Sequence, residues 1–209
     1  MMHSYKLYSS LPELTTHKIW AEIDLDALRG NYRALCHEIR RTTPDCRMMC
    51  VVKADAYGHG IDACVDALLG EGCDFFAVSS IEEAIAVRQV CRSVNSDADI
   101  LILGYTPAEE ATTLSRSNII QTVFSLEYAR ALSSRLSAAG RSLRVHMKFD
   151  TGMNRIGFKR TEDFREALRL LPDCPNLVFD GMFTHFAVSE LADHSFTLEQ
   201  GKRFLEYAN

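Results

Sequence analysis

Met48-Met49-Cys50-Val51-Val52-Lys53-Ala54-Asp55-Ala56-Tyr57-Gly58-His59-Gly60 reads as a short apolar strand running into a turn, and Ile61 to Leu69 after it has helical spacing. The apolar residues from Met48 to Val52 are continuous rather than alternating, as expected of a strand covered on both faces, so the sheet is expected to be parallel. The same unit recurs downstream. Further apolar runs lie at Phe75 to Ser79, Ile100 to Gly104, Ile119 to Phe124, Leu143 to Phe149 and Leu177 to Thr184. Helical patterns follow them at Ser80 to Cys91, Pro107 to Leu114, Leu126 to Ala139, Thr161 to Leu171 and Phe196 to Ala208. Ser80 with Glu83 reads as a capping box, and Pro107 suits a first helical turn. Upstream, Ile19 to Asp24 reads as a separate strand and Asp26 to Arg41 as a helix capped by Asp26.

Strand-helix units repeated without a reversal signal predict an α/β fold, a (β/α) barrel of the TIM type. An open doubly wound sheet shares this local grammar. A complete eight-unit barrel takes about 250 residues. The 209 residues here supply six units, so the reading is a partial barrel over residues 26–209, preceded by an N-terminal strand segment at 1–25. Its uncovered edges and helix faces would favour self-association.

Composition narrows the partners. With 47% apolar and 24% charged residues the chain is globular, and a net charge of −5 with interspersed signs offers no basic stripe for nucleic acid. No apolar run approaches the ~20 residues that span a bilayer, and Met1 to Leu11 lacks the pattern of a signal peptide. A cytoplasmic location is the expectation. Seven cysteines spread through apolar segments suit reduced thiols rather than a disulfide framework.

Lys53 is the first candidate for chemistry. It stands at the C-terminal end of the first strand, where a barrel keeps its active site, and a lysine there can form a Schiff base. The blander reading is a solvent-facing lysine after a buried strand. Gly58-His59-Gly60-Ile61-Asp62-Ala63 also fits a dinucleotide fingerprint, but Ala77-Val78-Ser79-Ser80 lacks the acidic residue that would hold a ribose. Cys46 and Cys50 have the wrong spacing for a C-x-x-C pair, and no metal site is expected. Asp193-His194-Ser195 are chain neighbours and so cannot stack as a hydrolytic triad.

The decapeptide Val51 to Gly60 resembles the pyridoxal-phosphate lysine motif of the alanine racemase family. Three further stretches are similar to that family, in its order: Trp20-Ala21-Glu22-Ile23-Asp24-Leu25-Asp26-Ala27-Leu28 with Asn31, Lys148-Phe149-Asp150-Thr151-Gly152-Met153-Asn154-Arg155-Ile156-Gly157, and Thr184-His185-Phe186-Ala187. The resemblance implies that Lys53 holds pyridoxal 5'-phosphate and exchanges the α-proton on one face of an amino acid. It implies that Tyr57 contacts the cofactor phosphate and that Arg155 meets the cofactor's phenolic oxygen near the substrate carboxylate. His185 would lie beside the pyridine ring, and Lys148 matches a lysine that some members carry as a carbamate bracing the arginine. Lys53, Arg155 and His185 are expected to close the first, fifth and sixth strands and converge at one mouth.

The resemblance further implies a parent enzyme, a homodimer, that interconverts L- and D-alanine for bacterial cell-wall peptidoglycan precursors. The family's second acid-base group is a tyrosine from a β-rich C-terminal domain of the partner subunit, on which residues 1–25 would pack. The six-unit portion alone is expected to be inactive. The alternatives are a serine-preferring racemase, a decarboxylase on a related barrel, or a non-catalytic barrel protein that binds pyridoxal phosphate.

Overall fold

Among the described residues six short strands alternate with helices, and every strand pair within a body is parallel. The computed structural model of the protein describes residues 21–208. They divide into two bodies, one formed by the chain up to Val78 with Glu82–Ala98, the other by Ser79–Ile81 with the chain from Asp99 onward.

In the first body, helix α1 (Leu25–Thr42) is capped by Asp24, whose Oδ1 accepts from the N–H groups of Asp26 and Ala27, both at 2.9 Å. Asp24 rather than Asp26 is therefore the cap, because the first free amides of the helix lie two and three residues beyond it. Ala21 to Asp24 form no strand, and Ile19 and Trp20 lie outside the described residues. Strand β1 (Cys50–Val51) pairs with β2 (Phe75–Val78) through Cys50 opposite Phe76 and Val51 opposite Ala77. Between them come a six-residue turn, α2 (Lys53–Gly58), and helix α3 (Ile61–Gly70); α4 (Ile81–Ser93) follows β2. Val65, Phe76, Ala77, Val78, Val87 and Cys91 are fully buried at the centre of this body. Arg33 reaches Glu71 at 3.4 Å, tying α1 to the end of α3.

The second body holds β3 (Asp99–Ile102), α5 (Ala111–Arg116), β4 (Ile120–Val123), α6 (Leu126–Ala138), β5 (Leu143–Lys148), α7 (Thr161–Leu170), β6 (Leu177–Phe183) and α8 (Ser195–Ala208). Pro107 precedes a 3-10 turn at Ala108–Glu110, which leads into α5. Its strands lie side by side in the order β3-β4-β5-β6, without the reversal of a doubly wound sheet. Leu143, Val145 and Met147 alternate along β5 into a core shared with α6 and α7, while Arg144, His146 and Lys148 take the opposite face. On that face Arg144 donates to Asp99 (2.6 Å) and to Asp180 (2.7 Å), linking β5 to both β3 and β6. His146 stands 3.5 Å from Asp180. Burial lowers the His146 pKa, and the neighbouring Asp180 only partly opposes it. Phe149 anchors the end of β5, with ring centroids of Tyr207 at 4.3 Å and Phe164 at 4.6 Å.

Candidate active site

The chain past β1 does something the sequence reading missed. Ala54, Asp55, Ala56 and Tyr57 all adopt left-handed backbone angles, with φ between 52° and 57°, so α2 is a single left-handed turn. Each non-glycine residue held there costs roughly 1–2 kcal/mol, and the structure must hold the turn from outside. It does so with three fixings. Glu83 Oε1 accepts from the Ala54 N–H at 2.6 Å, Asp55 Oδ1 accepts from the Ile61 N–H at 2.7 Å, and the Gly60 N–H donates to the Asp55 carbonyl at 2.9 Å. Gly58 and Gly60 continue the positive φ at 82° and 87°; a Cβ on Gly58 would meet nothing within 4 Å, so backbone angle rather than space calls for glycine there.

Lys53 opens this turn, two residues beyond β1. Its side chain is half-buried, with Nζ 5.9 Å from the centroid of the Tyr57 ring, and Tyr57 is 60% exposed. The left-handed path brings a primary amine and a phenol to one accessible surface of the first body.

The other three candidates belong to the second body. Lys148 is the last residue of β5, 3% exposed, with Nζ donating to the Phe149 carbonyl at 2.7 Å and lying 5.5 Å from the Phe183 ring centroid. Burial pushes its pKa down from the ordinary 10.5 to about 8; Asp150 opposes the shift and Arg155 adds to it. Arg155 does not close β5: it stands seven residues beyond Lys148, exposed, in the loop after that strand. The Asp150 carboxylate is aimed at the backbone of this loop. Asp150 accepts from the backbone N–H groups of Gly152 (3.1 Å), Asn154 (2.9 Å) and Arg155 (3.0 Å). Burial alone would raise its pKa, but those three donors and the Lys148 charge outweigh it and hold the carboxyl below the usual range. Asp150 thus fixes the loop that carries Arg155.

His185 is exposed, two residues past β6. Its backbone carbonyl accepts from Gln200 Nε2 at 3.1 Å. Two supports escaped the sequence reading although each left a signal. Asp150 heads an Asp-Thr-Gly-Met-Asn run, the composition of a side-chain-capped turn. Gln200 interrupts a helical stripe of Phe196, Phe204 and Tyr207, and a buried amide among aromatics needs partners.

The family described as "Alanine racemase, N-terminal domain" matches residues 23–209. An alanine racemase from Desulfosudis oleivorans is 42% identical over 194 residues, covering 88% of this chain and 48% of that protein. Among solved structures, the alanine racemase of Clostridium difficile 630 in complex with cycloserine superimposes with a TM-score of 0.81 at 34% identity, covering 94% of this chain and 52% of that one. A histidine racemase from Leuconostoc mesenteroides subsp. sake gives a TM-score of 0.79 at 26% identity, over 88% of this chain and 48% of that one. The chain spans about half the length of the relatives it matches, and its strand-helix succession is a six-unit portion of their (β/α) barrel.

Proposed function

This chain belongs to the alanine racemase N-terminal-domain family, and from that premise we propose that it forms the cofactor-lysine part of a pyridoxal-phosphate-dependent racemase interconverting L- and D-alanine. The observation that carries the reading is the left-handed turn after Lys53, a strained backbone held by Glu83 and Asp55 in order to present an amine beside Tyr57.

The residues present fit pyridoxal phosphate. Its aldehyde asks for a primary amine, its phosphate and phenolic oxygen for hydrogen-bond donors, and Lys53, Tyr57 and Arg155 supply these. The chemistry it contributes when bound is an electron sink for the charge left on Cα when a proton departs. Lys53 would hold the cofactor and then accept or return the α-proton at Nζ on one face of the substrate. Arg155, a planar and permanently charged fork, would orient the carboxylate, and His185 would border the ring. A lysine titrating near pH 8 is about half neutral at that pH, which makes Lys148 competent to add carbon dioxide. The nitrogen of the neutral amine would bond to the carbon and release one proton to solvent; counted from the protonated lysine two protons leave, and the buried cation would become an anion able to brace Arg155.

Racemisation needs a second acid-base group on the opposite face. We assign that role to a partner subunit in a homodimer; most of the N-terminal segment 1–25 lies outside the described residues. No helix among the described residues is long and apolar enough to cross a membrane. A cytoplasmic bacterial enzyme supplying D-alanine for peptidoglycan is the setting we propose. The named relatives support alanine over the serine considered from the sequence, and the likeness to a histidine racemase favours, as the second reading, a racemase of another amino acid on the same scaffold. Titration of the chain with pyridoxal phosphate, followed by absorbance, tests the assignment: a saturable visible band is expected, and its persistence in Lys53→Ala would refute it.

A further inference from the structure

Gln200 of α8 is 0% exposed, yet its side-chain amide reaches two separate loops. Nε2 donates to Thr151 Oγ1 at 3.2 Å and to the His185 carbonyl at 3.1 Å, while Oε1 accepts from the Ala187 N–H at 2.9 Å. The orientation of the amide is fixed by these partners, since a carbonyl can only accept and an N–H can only donate. Thr151 belongs to the loop after β5 that carries Arg155; His185 and Ala187 belong to the loop after β6.

The hydroxyls continue the link in one direction. Thr184 Oγ1 donates to the Phe149 carbonyl at 3.0 Å, so Thr151 Oγ1 donates to Thr184 Oγ1 at 2.8 Å and accepts from Gln200. The same Phe149 carbonyl accepts from Lys148 Nζ. Arg203, one turn further along α8, donates to the Thr151 carbonyl at 3.0 Å. Nothing in this chain of bonds is solvent-facing at its centre: Thr151 is 2% exposed and Gln200 fully covered. A buried polar network with each member satisfied specifies a single arrangement, and losing one member strands the others.

We propose that Gln200 is a positioning residue that locks the Arg155 loop and the His185 loop into one arrangement, so that the two side chains assigned to the cofactor move as a unit. The inference rests on the functional assignment only for what the loops bind. Their mutual locking stands on the hydrogen bonds alone.

The test is Gln200→Met, which keeps the length of the side chain and removes its donors and acceptor. Amide exchange in the 209-residue chain is followed by nuclear magnetic resonance, with α6 amides as the internal control. The Ala187 amide should exchange at least about tenfold faster, as expected for one lost buried hydrogen bond. The Asn154 and Arg155 amides should also accelerate by about tenfold, although their acceptor Asp150 is untouched. A purely local structural role would leave Asn154 and Arg155 tracking α6, and that result would overturn the proposal. Where wild type binds pyridoxal phosphate, Gln200→Met should weaken it by about tenfold, and unchanged affinity would overturn the proposal equally. If wild type does not bind, the functional assignment falls and the exchange result still decides the locking. Should the variant not fold, exchange of the wild-type chain in low urea replaces it: Ala187 and Arg155 should open with the same denaturant dependence, and separate openings would contradict the lock.

Discussion

Gly157→Ala should be among the most damaging single-methyl additions to this chain. Gly157 has φ +130°, and a Cβ there would lie 2.7 Å from the Asp150 nitrogen, 2.8 Å from the Lys148 carbonyl oxygen and 2.8 Å from the Phe149 carbonyl carbon. All three are backbone atoms of one turn, so no side chain can swing aside. The same turn is a bridge in which Phe158 N–H donates to the Lys148 carbonyl and Asp150 N–H to the Phe158 carbonyl, each at 2.9 Å. Backbone strain of about 1–3 kcal/mol and overpacking of about 1–3 kcal/mol sum to about 4 kcal/mol. A chain of this size would lose about 10 °C in melting temperature. Gly140→Ala is the matched control in the same body. Its φ of +60° is also left-handed, but a Cβ would meet nothing within 4 Å, and the cost should be only about 1 kcal/mol. Urea unfolding followed by far-ultraviolet circular dichroism gives both values. Equal losses in the two variants would refute the argument that crowding of the Lys148–Asp150 backbone, rather than φ alone, demands glycine at 157.

Lys148→Met should stabilise the chain by about 2 kcal/mol at pH 7, since the gap between 10.5 and about 8 corresponds to about 3 kcal/mol, less the lost bond to Phe149. Below pH 8 folded and unfolded chains both carry the proton and the burial cost is fully felt; between pH 8 and 10.5 the unfolded chain binds more protons, so wild-type stability rises and the advantage of the variant should vanish by about pH 10. An advantage of the same size at pH 7 and pH 10 would count against burial as its cause. Arg144→Met removes a cation that lowers the His146 pKa, so the imidazole resonances should titrate at higher pH than in wild type; a downward move would contradict the Arg144, Asp180 and His146 arrangement.

The strand-helix rhythm was legible in the residues because burial on both faces writes continuous apolar runs, and all six runs hold a strand. Their ends were not. Met48 to Lys53 is apolar throughout its first five residues, yet only Cys50 and Val51 form the ladder, since pairing depends on where the partner strand begins rather than on hydrophobicity. Ala54 to Tyr57 would suit an ordinary helix, and nothing in alanine, aspartate and tyrosine announces four left-handed residues; one of the three contacts that hold them, Glu83, is distant in sequence. Lys53, Tyr57, Lys148, Arg155 and His185 were readable as motif positions. The residues that hold their loops, Asp150 and Gln200, left only the turn composition and the interrupted aromatic stripe noted above, because most of their partners are backbone amides and carbonyls that any residue carries.

The most direct measurement is borohydride reduction of the chain in pyridoxal phosphate, followed by proteolysis and mass mapping of the modified lysine. Modification concentrated on Lys53, with the exposed Lys159 and Lys202 essentially unlabelled, is the predicted result. Equal labelling of those surface lysines, or none at Lys53, would contradict the account.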